Sequence, residues 1–175
     1  MSLIKVNDIQ TTTGLPNRGK ILQVQTTFSN TIISGSTDFD IISLSITPSF
    51  TTSKILLIYN GNIAQEGASG QEWALYAYRG ATQLNAGSTY GSAGTATFQA
   101  FGTDNIPAST NSNGSYTITG ILVDSPSTTS ATTYKIRVVH INGTTTACVG
   151  KSGWVGSTNE QVTNGYSLTL MEIAA

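Results

Sequence analysis

Short stretches of alternating polar and apolar residues, rich in Ser, Thr and branched side chains, recur along the chain and end in the run Tyr166 to Ile173, YSLTLMEI. A two-residue period places alternate side chains on opposite faces of an extended strand, so each stretch has one face to bury. Stretches this short cannot bury that face alone and must be paired and stacked. Charged residues are only 10% of the chain, which leaves little material for the salt-bridged outer face of a helix. The chain is therefore expected to be all-β.

The strands can be placed by their punctuation. Ile21, Leu22, Val24 and Phe28 mark a first strand, and a shorter one is expected near Thr31 to Ile33. Ile42, Leu44 and Ile46 alternate with Ser43, Ser45 and Thr47 up to Pro48, which ends the ladder. Lys54 to Tyr59 is the most apolar run and reads as a central strand closed by Asn60-Gly61. Glu72 to Arg79 carries aromatic residues on both faces and meets Ala81 to Leu84 across Gly80, a hairpin signature. A short strand is expected within Thr95 to Phe101, among glycines and small residues that read as loops. Further strands follow at Tyr116 to Leu122, at Tyr134 to His140 and at Thr145 to Val149, before the terminal one. Roughly eight to ten strands suit two packed antiparallel sheets. At 175 residues the chain fits one such unit, with residues 20–175 as the domain and 1–19 as an arm and joint. The joint is marked by Gly14, Pro16 and Gly19.

Charge and cysteine content narrow the function classes. Eight basic against nine acidic side chains give a net charge of −1, which supplies no field to hold a nucleic acid backbone. Cys148 stands alone, so it forms no disulfide within the chain and is expected to be a buried small hydrophobe. Met1 to Gln10 has neither a basic leader nor a continuous apolar block, and no span of about 20 apolar residues follows, so a soluble protein is expected.

No residue pattern calls for catalysis. His140 is the one histidine and lies on the strand face of Tyr134, Ile136 and Val138, a position for packing rather than for a base. Asp38 and Asp40 flank Phe39 and read as a solvated strand entrance, since no third group separates their acidities. Glu66 and Glu72 border a Gly-rich loop, and Gly67, Gly70, Gly87, Gly91 and Gly94 lack the lysine and helix of a phosphate loop. No enzyme activity, cofactor, metal, nucleic acid or membrane partner is expected. Trp73, Tyr76, Tyr78 and Trp154 are the aromatic candidates for a glycan or subunit contact. Strands such as Tyr116 to Val123 are apolar on both faces, which three copies meeting through one sheet would explain.

The segments MSLIKVNDIQ at Met1 to Gln10 and GKILQVQ at Gly19 to Gln25 resemble the starts of small structural and fibre proteins of tailed phages, among them cyanophages. SITP at Ser45 to Pro48, SKILLI at Ser53 to Ile58, YRGAT at Tyr78 to Thr82 and LTLMEIA at Leu168 to Ala174 look like later strands of the same group. The resemblance implies a jelly roll of the tumour-necrosis-factor type, a two-sheet antiparallel sandwich, usually a homotrimer displayed on a virion. A long coiled-coil or β-helical shaft is missing from the pattern, so a head decoration, cement or head-fibre protein on the exterior of the capsid is the expected role. The arm, through Leu3, Ile4, Val6 and Ile9, would attach to the major capsid protein or another virion protein. The alternative is a receptor-binding tail-fibre tip that holds host glycans through exposed aromatics and the loops between Gly87 and Ser115.

Overall fold

Among the described residues each regular element is a strand, as the two-residue alternation implies. The computed structural model describes residues 19–66, 72–84, 102–105, 115–142, 146–151 and 163–175. Its strands are β1 (Ile21–Ser29), β2 (Ile33–Gly35), β3 (Phe39–Ile46), β4 (Lys54–Glu66), β5 (Glu72–Arg79), β6 (Thr82–Gln83), β7 (Gly102–Asn105), β8 (Ser115–Asp124), β9 (Thr132–Asn142), β10 (Thr146–Val149) and β11 (Tyr166–Ile173). The first sheet runs β1-β11-β4-β8, and β10 with β2 extends it along the edge of β4 beyond β11. The second runs β3-β9-β5, with β6 and β7 sharing the far edge of β5. All pairings are antiparallel. In chain order the strands change sheet from β2 to β3, from β3 to β4, from β4 to β5, from β7 to β8, from β8 to β9 and from β9 to β10. Two facing antiparallel sheets joined in this way form a jelly-roll-like sandwich.

The core lies between the sheets. Ile55, Leu57 and Tyr59 of β4 with Leu168 and Leu170 of β11 pack against Trp73 and Leu75 of β5 and Tyr134, Ile136 and Val138 of β9. In β3 the pairing with β9 slips between Asp40 and Ile42, a bulge that turns both Ile41 and Ile42 inward where strict alternation would bury only one. Cys148 is buried, and burial pushes its thiol pKa up to about 11. The expected Gly80 turn is present, at φ 57°, between Arg79 and its partner Thr82. The short strand expected near Thr31 to Ile33 begins instead at Ile33, and the strand near Thr95 to Phe101 falls outside the described residues.

Asn60-Gly61 does not end the central strand; β4 continues through it to Glu66. The glycine is there for space rather than for a turn. It pairs with Ile118 on one side and lies level with Tyr166 on the other, and a Cβ built on it would sit 2.3 Å from Tyr59 Oη and 2.8 Å from Tyr166 Cβ. Gly61→Ala is expected to lower folding stability by about 2 kcal/mol through overpacking. An unchanged denaturation midpoint would refute that close fit.

One end of the sandwich is tied by polar groups. Arg79 Nη1 of the second sheet donates to both carboxylate oxygens of Asp124 on the first, at 3.0 and 2.8 Å, and Tyr134 Oη donates to Asp124 Oδ2 at 2.8 Å. At the same end Glu172 is fully buried. Its Oε1 accepts from Ser49 N and Ser53 Oγ, both at 2.6 Å, and its Oε2 from Gln23 Nε2 at 2.7 Å and Ser49 Oγ at 3.0 Å. Burial alone would raise the Glu172 pKa, but the donors from Ser53, Gln23 and Ser49 outweigh it and hold the carboxyl below the ordinary value of 4.5. The chain enters this same end, where Gly19 N donates to Ala174 O and Ala174 N donates to Lys20 O.

Candidate assembly surface

The inward residues of β1, β11, β4 and β8 are fixed by the core, so the pleat sends the residues between them to the outer face. Cross-strand register then sorts that outer face into rows. One row is Val24, Met171, Leu56 and Val123; the next is Thr26, Thr169, Ile58 and Ile121; the third is Phe28, Ser167, Asn60 and Thr119. No side chain in these rows is charged. Ile121 is 65% exposed, Val123 56% and Phe28 66%. Within the face the polar groups pair with one another: Thr26 and Thr169 hydroxyls lie 3.1 Å apart, and Thr119 Oγ1 donates to Asn60 Oδ1 at 3.2 Å. Lys54 stands at the margin and turns aside, its Nζ donating to Ser125 Oγ at 2.6 Å.

The outer face of the second sheet has the opposite character. Its rows are Asp40, Arg137 and Tyr76, then Ser43, Lys135, Tyr78 and Gln83. Asp40 Oδ1 accepts from Arg137 Nε at 2.6 Å and its Oδ2 from Lys135 Nζ at 2.9 Å. Partial burial raises the Asp40 pKa, but Arg137 and Lys135 outweigh it, so the net shift is downward. This acid is thus an ion-pair anchor as well as a strand entrance. Asp38 Oδ1 accepts the backbone N–H of His140 at 3.0 Å and fixes the start of β3 to β9.

The candidate aromatics separate accordingly. Trp73 points inward and is 1% exposed, its ring centroid 4.5 Å from that of His140, so the contact with a glycan or subunit expected of Trp73 is corrected to core packing. The odd register of β5 decides this, because Trp73 shares its face with Leu75 and Ala77. Tyr76 and Tyr78 point outward on the second sheet and are half-buried. Trp154, Leu3, Ile4, Val6 and Ile9, and most of the loop from Gly87 to Ser115, lie outside the described residues. Among the described residues no three His, Cys, Asp or Glu side chains gather into a metal-holding group. Leu56, Ile58, Thr169 and Met171 were not singled out from the sequence as surface residues. Their alternation with core residues is visible there, but the alignment into uncharged rows needs the register.

The fold and this face define the class: an all-β, jelly-roll-like sandwich with one uncharged, partly apolar outer sheet face. No protein-family model matches the chain, and no curated protein matches it in sequence. Among solved structures it is similar to infectious bursal disease virus, Gx strain, at 15% identity over 87% of this chain and 37% of that one, with a TM-score of 0.38. The Gt strain gives 14% identity, 90% and 39% coverage, and the same TM-score of 0.38. The chain thus spans less than two fifths of the length of either. The fold rests on its own strand order.

Proposed function

We propose that this chain is a non-enzymatic structural protein of a virus particle, a homotrimeric decoration or head-fibre protein seated on the exterior of the capsid. The observation that carries self-association is the uncharged face of β1, β11, β4 and β8, set against the ion-paired outer face of β3, β9 and β5. Exposed Ile121 and Val123, in register with Ile58, Leu56 and Met171, and exposed Phe28 in the polar row beside them give a second copy something to bury, and with no charge to desolvate the contact is favourable. Closed threefold packing would cover this face in every copy and leave the charged sheet outward. The virion setting is supported by the resemblance of the quoted segments to tailed-phage structural proteins.

Attachment falls to the N-terminal arm and its apolar residues Leu3, Ile4, Val6 and Ile9. Three arms on one trimer raise the effective local concentration, so full release requires all three to detach together. Preferential binding to the assembled shell would stabilise it by mass action. Deletion of Met1 to Arg18 removes no described strand, since β1 starts at Ile21. The truncated protein is expected to stay folded and self-associated while its particle occupancy, measured by quantitative mass spectrometry, falls to background. Full occupancy would end the assigned role of the arm.

A further inference from the structure

The outer face of the second sheet carries a separate binding platform, and we infer that it takes a carboxylate-bearing saccharide. Tyr76 and Tyr78 occupy alternate positions of β5 and therefore project from the same face. Arg137 stands across from Tyr76 and Lys135 across from Tyr78, with both cations over the Tyr78 ring, at 5.2 and 5.8 Å from its centroid. Asp40 holds Arg137 through Nε alone. Among the described residues nothing takes the two terminal amino groups of that guanidinium, so its fork is held in place and open. Asp40 and Asp38 both act electrostatically on Arg137, so the two cations are balanced by two carboxylates and the open fork, not a net charge, is what a ligand acid group would meet.

These parts match one ligand chemistry. A planar carboxylate fits a guanidinium fork bidentately, and the C–H face of a pyranose ring packs on a tyrosine ring, here that of Tyr76, since the two cations stand over Tyr78. Gln83 and Ser43, at the ends of the Tyr78 row, add polar groups suited to sugar hydroxyls. The platform lies on the face opposite the assembly surface, so occupancy of one leaves the other free.

The test is calorimetric titration of the folded full-length chain with oligogalacturonate at physiological salt, and with a neutral gluco-oligosaccharide of equal length. Saturable binding of the uronate is expected, with the neutral oligomer at least about tenfold weaker. Arg137→Gln and Tyr76→Ala should each weaken uronate binding by about tenfold or more while leaving the sedimentation coefficient unchanged. Absence of uronate binding by the folded parent overturns the inference, as does equal affinity for the neutral oligomer or indifference to both Arg137→Gln and Tyr76→Ala. Sedimentation reports on self-association independently, so failure of either proposal is read separately.

Discussion

Ile121→Glu is expected to turn the assembled protein into a folded monomer. Ile121 is 65% exposed on a single chain, so within one copy a glutamate there meets water and changes folding stability by no more than about 0.5 kcal/mol. In the assembly the same position sits in the row Thr26, Thr169, Ile58 and Ile121, which contains no cation to pair with it. Burying an unpaired carboxylate costs several kcal/mol per copy, and a threefold contact repeats the cost. Sedimentation equilibrium should move from three times the 18.3 kDa chain mass to once that mass, with the far-ultraviolet spectrum retained. The control is Ser45→Glu on the second sheet, beside Thr133, which should leave the mass unchanged. Equal masses for Ile121→Glu and the parent would remove this face from the interface.

Glu172→Gln is expected to cost about 3 kcal/mol of folding stability, although it is nearly isosteric. Donors approach both carboxylate oxygens, so one of them must face the new amide nitrogen. Ser49 Oγ and Ser53 Oγ can rotate to accept. Ser49 N cannot, and Gln23 Nε2 is also committed to Thr47 O at 2.7 Å, so turning the Gln23 amide over would break that bond. The same arrangement sets a pH dependence. Because the folded-state pKa lies below the ordinary value of 4.5, the contribution of Glu172 is fully present above that value and is lost as pH falls through the depressed folded pKa. Denaturant titrations should therefore show the parent losing more stability below pH 4.5 than Glu172→Gln does. Asp40 shifts in the same direction, but it is exposed and screened, so its share is small. Parallel pH curves for parent and variant would contradict the account of this buried carboxylate.

Much of the sandwich is legible in the sequence because a period of two is a local signal. Tyr166 to Ile173, Ile42 to Ile46 and Tyr134 to Val138 lie in strands with the inward residues their alternation implies. Gly80 marks its turn because a positive φ is a local demand. Demands set by distant neighbours are not visible in this way. Gly61 resembles a strand stop until Tyr166 is seen beside it, and Trp73 resembles a surface aromatic until the register of β5 turns it inward. The uncharged face is a further case. Each of its residues is unremarkable in its own strand, and only the pairing of β1, β11, β4 and β8 brings Val24, Met171, Leu56 and Val123 into line.

The proposed function requires this face to be buried between copies on a capsid surface. Cryo-electron microscopy of purified particles carrying the chain, at side-chain resolution, tests it most directly. Threefold density on capsomers is expected, with Ile58, Ile121 and Met171 facing the neighbouring copies and Arg137 facing solvent. Density confined to a tail tip, or a capsid-bound copy with Ile121 in open solvent, would contradict it.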